Sequence, residues 1–104
     1  MAVPWPVSSI VTADFNFRPD DPLHARMQAP IGVPAYRDSW ELCHPGKPHP
    51  PTLGLYDKEQ WPEEAFCCDF IFVSEDIAER VEDVVVNSTT DASDHQPVLL
   101  SLRD

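Results

Sequence analysis

Residues 66–73 read Phe-Cys-Cys-Asp-Phe-Ile-Phe-Val, apolar at every position except Asp69. A short run that is apolar on both alternating faces is the pattern of a β-strand covered on both sides. The exception matters as much as the run. A carboxylate inside such a strand costs several kcal/mol unless it is paired or hydrogen-bonded. The pattern therefore predicts a partner for Asp69, and a histidine is the natural one.

The other expected elements are short, because proline sets the punctuation: the 104 residues hold 12 prolines against 3 glycines. Residues 7–12 read as an early strand whose end carries Asp14 and Asn16. Arg18-Pro19-Asp20-Asp21-Pro22 is a turn, in which Asp21 caps a short helix over 23–28 with Pro22 at its first position. That helix stops before Pro30, and 31–34 is a loop. Residues 36–43 read as a second short helix, with Asp38 near its start and Gly46 past its end. The following loop holds Pro45, Pro48, Pro50 and Pro51, where no regular element persists. A short strand is expected over 52–56 and a loop or helical turn over 57–64. Ser74-Glu75-Asp76 caps a short turn with acidic residues in its first positions. A strand over 80–86, a polar loop over 87–93 and a last strand over 97–102 complete the chain. His24 is expected on a helix surface, and Trp5, Trp40 and Trp61 as packing residues.

Hydrophobic content of 42% and charged content of 24% describe a globular chain rather than a disordered one. The net charge is −11, from 18 acidic and 7 basic residues. That argues against broad electrostatic binding to nucleic acid, which needs Lys and Arg against phosphates. Carboxylate clusters can still bind a divalent cation, and the cation can bind phosphate, so a metal-dependent phosphoesterase stays open. Cys43, Cys67 and Cys68 are odd in number, and adjacent cysteines rarely bond to each other. They read as reduced thiols, which suits a cytoplasmic location. The opening Met-Ala-Val-Pro-Trp-Pro lacks the basic and apolar regions of a signal peptide, and no apolar run is long enough to span a membrane. Cys43-His44 with His49 fits no closed Cys/His zinc pattern.

The chemistry gathers at strand ends. In Ser93-Asp94-His95-Gln96-Pro97 a carboxylate and an imidazole stand side by side before the apolar Val98-Leu99-Leu100. Asp14 and Asn16 end one strand-like run and Asp69 interrupts another. An Asp holding a His fixes its tautomer and raises its basicity. Further carboxylates suit Mg²⁺, which prefers oxygen ligands, and the metal would polarise a phosphoryl oxygen while Asp and Asn position water. The plain alternatives are a surface turn at Asp94-His95, a structural buried Asp69 and an Asx-type turn at Asp14–Asn16.

Three segments in order resemble the endonuclease/exonuclease/phosphatase superfamily, with its deoxyribonuclease-I-like fold: Ala13-Asp14-Phe15-Asn16, Cys68-Asp69-Phe70-Ile71-Phe72-Val73-Ser74 and Ser93-Asp94-His95-Gln96-Pro97. Asp38-Ser39-Trp40 and Pro51-Thr52 look like that family's intervening segments. The resemblance implies an α+β (α/β sandwich) fold, a two-sheet sandwich to which this chain supplies about one mainly antiparallel sheet with short helices. It also implies roles. Asp14 would orient or deprotonate the attacking water. Asn16 would bond phosphate or metal-bound water. Asp69 would orient His95, His95 would contact the scissile phosphate, and Asp94 would bind or position the metal, Asp14 and Asn16 contributing to the same site. The implied activity is hydrolysis of phosphodiesters or phosphomonoesters with Mg²⁺ or Mn²⁺, on a phosphorylated substrate or a nucleic acid.

The chain departs from the family in two ways. Ala13 stands where the family has Gly, which would strain or shift the turn before Asp14. The likeness covers nearly all of residues 1–104 but only the C-terminal portion of the family's domain; the N-terminal half, with its principal metal-binding Glu, has no counterpart, and Glu41, Glu59, Glu63 and Glu64 sit in the wrong context to replace it. The expectation is thus a phosphoesterase half-domain, weakly active or inactive alone, completed by the missing half or by a second chain. The alternative is a non-catalytic remnant or interaction module that keeps the motifs.

Overall fold

A computed structural model describes residues 8–29 and 35–104. The described residues are α+β, with two antiparallel sheets and short helices. The first sheet has the order β1-β3-β2, where β1 is Ile10–Asp14, β2 is Tyr36–Asp38 and β3 is Asp69–Ser74. The second pairs β4, Val81–Val86, with β5, Val98–Leu102. The expectation of about one sheet is corrected here: the last two strands pair with each other rather than extending the sheet built on β3.

The central position of β3 follows from its composition. From Phe70 to Ser74 every residue is buried, and Phe72 and Val73 are fully so. Alternation along the strand puts Phe70 and Phe72 on one face and Ile71 and Val73 on the other. Phe70 and Phe72 form the core with Phe17 and Cys67, and Val11, Phe15, Met27 and Tyr36 pack against it. The rings meet at close range: Phe15 lies edge-on to Phe72 with centroids 5.3 Å apart, and Phe17 stacks on Phe70 at 5.3 Å. On the opposite side Ile71 shares a seam with Val84, Val86 and Val98 of the second sheet. The two covering layers that the apolar run demands are therefore present. The regular strand begins at Asp69 rather than at residue 66, because Phe66 is tied instead to Leu53 by a single antiparallel bridge. That bridge, with another from Leu53 to His95, is all that forms where a strand over 52–56 was expected.

Helix α1, Pro22–Gln28, starts as its sequence dictates: the Asp21 side chain accepts from Leu23 N and Pro22 opens the first turn. The expected helix over 36–43 divides at Asp38. Residues Tyr36–Asp38 join the sheet as β2, and Asp38 caps α2, Ser39–Cys43, by accepting from Trp40 N. Tyr36 is half-buried and pairs with Ser74, so sheet pairing wins over helix propensity there. After β3 a 3-10 helix runs Glu75–Arg80. Ser74 stands at its N-cap, with Glu75 and Asp76 in the first turn, but its side chain makes no capping hydrogen bond; its hydroxyl accepts from Ser9 N instead. The early strand spans Ile10–Asp14 rather than 7–12, Val7 lying outside the described residues, as do Trp5, the opening hexapeptide and the expected loop at 31–34.

Candidate functional site

The antiparallel register of β1 and β3 sets Asp14 opposite Asp69. The third partner arrives through Leu53, whose bridges reach both Phe66 and His95. Thr52 fastens the junction. It is fully buried, its hydroxyl accepts from Cys68 N (3.1 Å) and Asp69 N (3.3 Å), and its carbonyl accepts from Gln96 N at 2.7 Å. One residue therefore orients the backbone on both sides of the Asp69–His95 pair.

The pair is made. His95 Nδ1 lies 2.8 Å from Asp69 Oδ2, so the histidine expected from the strand pattern is the partner found. On the other edge of the ring, Nε2 stands 3.6 Å from Asp14 Oδ2. Asp14 Oδ1 accepts from Asn16 N at 2.9 Å, and Asn16 has φ 57. This is an Asx-type turn, and Asn tolerates its left-handed backbone better than most residues. It leaves Asp14 Oδ2 free to face the imidazole. Ala13 is an ordinary β1 residue opposite Phe70, so the turn bends at Asn16 and alanine strains nothing before Asp14. The His95 and Asp14 side chains are about a third exposed, at 32% and 38%, which leaves the edge of the ring open to a ligand. A cleft of about 210 Å³, lined by Thr12, Asp14, Asp69 and Gln96 among others, lies beside them.

The hydrogen bond to Asp69 raises the His95 pKa above the usual histidine value; partial burial opposes it, and the charges of Asp69, Asp14 and Asp94 add to the rise. Asp94 is exposed and contacts Ser93 Oγ at 3.4 Å. It stays outside the group of ligand atoms that Asp14, Cys68, Asp69 and His95 bring within 4.8 Å of one another. Cys68 completes that group only as a thiol, because burial pushes its pKa up to about 12. Cys43, Cys67 and Cys68 are all free.

Gln96 was not singled out by sequence reasoning, although it sits inside the Asp-His motif. It is buried, and its Nε2 donates to the carbonyls of Asn87 (2.7 Å) and Thr90 (2.9 Å), pinning the loop that presents His95. His24 is corrected from a surface residue to a buried one. Its Nε2 lies 2.7 Å from Asp38 Oδ2, and His49 Nε2 lies 2.6 Å from the same oxygen. His49 thus belongs with His24 and Asp38, whereas Cys43 and His44 face β4 at Glu82, Asp83 and Val84. No helix among the described residues is long and apolar enough to cross a membrane.

No protein-family model, curated protein or solved structure matches this chain.

Proposed function

We propose that Asp14, Asn16, Asp69, Asp94 and His95 form part of a metal-dependent phosphoesterase site, acting on a phosphodiester or phosphomonoester. The observation that carries this reading is the line Asp69 Oδ2–His95 Nδ1 (2.8 Å) and His95 Nε2–Asp14 Oδ2 (3.6 Å) at the open rim of a sheet. Asp69 commits Nδ1 as a donor, so the tautomer is set and Nε2 is the working atom. The hydrogen bond to Asp69 raises the pKa of the ring, and in its protonated form the ring can hydrogen-bond a phosphoryl oxygen or protonate a leaving group. Asp14 Oδ2, on the same side, is the base or orienting group for water. The Asn16 side chain, on an exposed turn, can donate to phosphate.

The donor set fits Mg²⁺ or Mn²⁺ in part. Asp14 offers a hard oxygen ligand inside the cluster and Asp94 one outside it, whereas Asp69 is committed to His95 and Cys68 is a buried neutral thiol. Bound there, the ion would supply Lewis-acid polarisation of a phosphoryl oxygen. Among the described residues no glutamate joins this group. We therefore expect weak turnover from these 104 residues alone, and full activity once another segment or chain supplies a carboxylate ligand. A second reading, a non-catalytic interaction module, is favoured by the exposed apolar side chains Ile10, Val85 and Leu99 on β1, β4 and β5.

The test is Mg²⁺ and Mn²⁺ titration followed by NMR on the His95 ring and the Asp14 and Asp94 amides, alongside hydrolysis of bis-p-nitrophenyl phosphate. Saturable shifts at these positions, with slow hydrolysis lost in His95→Ala, are expected. Absence of any shift at millimolar metal, or hydrolysis indifferent to His95→Ala, would leave the interaction module as the better reading.

A further inference from the structure

We propose that His24, Asp38, Glu41 and His49 form a binding site for one transition-metal ion of the Zn²⁺ type. None of the four belongs to the Asp14–His95 site, so the inference is independent of the function proposed above. One ligand atom from each residue lies within 4.8 Å of the others. Both imidazole Nε2 atoms converge on Asp38 Oδ2, at 2.7 Å and 2.6 Å, and Glu41 Oε2 stands 3.4 Å from His24 Nε2 and 4.0 Å from His49 Nε2. Four ligands at about 2.0–2.1 Å from a tetrahedral Zn²⁺ lie roughly 3.3 Å apart. The Glu41–His24 pair already has that spacing; the two Asp38 pairs would open, and the Glu41–His49 pair close, by roughly 0.6–0.7 Å on binding.

Chemistry narrows the occupant. Two nitrogen and two carboxylate ligands suit Zn²⁺ and its neighbours, whereas Mg²⁺ and Ca²⁺ call for oxygen throughout. Two carboxylates balance a divalent charge. The ligands are also held before any ion arrives. Trp40 N donates to Asp38 Oδ1, which leaves Oδ2 for the ion. The His24 and His49 rings meet edge to face at 5.7 Å, and both pack against Phe70. The side chains of His24, Asp38 and His49 are 6%, 1% and 9% exposed, and Glu41, at 44%, is the side from which an ion enters. Beside Asp38, Ser39 Oγ is buried without a hydrogen-bond partner among the described residues.

Such a site is closed, with four protein ligands, so its role is structural. It joins α1, the β2–α2 junction and the proline loop that leads to Thr52. The experiment uses the whole chain, stripped with a chelator and titrated with Co²⁺ and then Zn²⁺. One equivalent of Co²⁺ should give the intense visible bands of a tetrahedral centre, Zn²⁺ should displace it, and the Tm should rise by several degrees. His49→Gln and Glu41→Gln should weaken Co²⁺ binding and shift or abolish the bands, while Asp14→Asn should keep them unchanged. Glu41→Gln is the decisive variant, since a half-exposed side chain can be changed without unfolding the core. No tetrahedral spectrum with the native chain, bands unchanged by Glu41→Gln, or bands that vanish in Asp14→Asn would overturn the assignment.

Discussion

The Thr52 hydroxyl accepts two backbone hydrogen bonds, from Cys68 N and Asp69 N, in a place with no access to water. Thr52→Val keeps the shape and removes the acceptor, which strands two buried N–H groups. We expect a loss of about 1–3 kcal/mol of stability, read from urea midpoints. We also expect the His95 ring to titrate closer to its ordinary value, because the backbone that aims Asp69 has loosened; an unchanged NMR titration would mean that Thr52 does not position the pair. The Asp69–His95 contact itself was legible in the sequence, since a carboxylate inside an apolar strand has to find a donor. Thr52 and Gln96 were not legible as its supports. Their work is done through backbone groups of residues distant in sequence, and side-chain identity records no trace of that.

At the scale of elements, β3 is the member on which both sheets depend. Phe72 is fully buried and touches Phe15, Phe70 and His24 with ring centroids 5.3, 5.9 and 5.7 Å away. Phe72→Ala should cost about 3–5 kcal/mol, a large share of what a small domain holds. A urea midpoint close to that of the native chain, followed by far-UV circular dichroism, would contradict this placing of the core. Elements with a local signal were read correctly in kind: the Asp21-Pro22 start of α1, the apolar runs of β3, β4 and β5. Errors fell where pairing partners decide. Tyr36–Asp38 became strand because Ser74, Val73 and Phe72 were there to pair with it. Residues 52–56 stayed irregular because only Leu53 among them forms β-bridges.

For the whole molecule, the buried Asp38 makes acid stability a sharp test. Burial pushes its carboxyl pKa up, but the hydrogen bonds from His24 and His49 outweigh burial and hold it at about 2, against an ordinary 3.8. A lowered carboxyl contributes stability that is complete above 3.8 and disappears as pH falls toward 2. In the metal-free chain this amounts to on the order of 2 kcal/mol. The raised pKa of His24, caused first by its hydrogen bond to Asp38 against burial, acts in the other direction. Its contribution is complete below 6.5 and fades as pH rises through the folded value. Urea midpoints should therefore be highest between about pH 4 and 6 and fall on both sides; a flat profile down to pH 2 would contradict the buried pairing. The local chemistry of this protein was set by the sequence alone: an acidic chain, short elements between prolines, a doubly covered strand, and an Asp-His pair at strand ends. Tertiary structure alone decided that the strands divide between two sheets, that Asp14 faces the far edge of the His95 ring, and that His24 is buried against Asp38 and His49. The reason is physical. Periodicity and propensity act over neighbouring residues, whereas sheet order and buried polar clusters depend on contacts between segments that the chain brings together only when it folds.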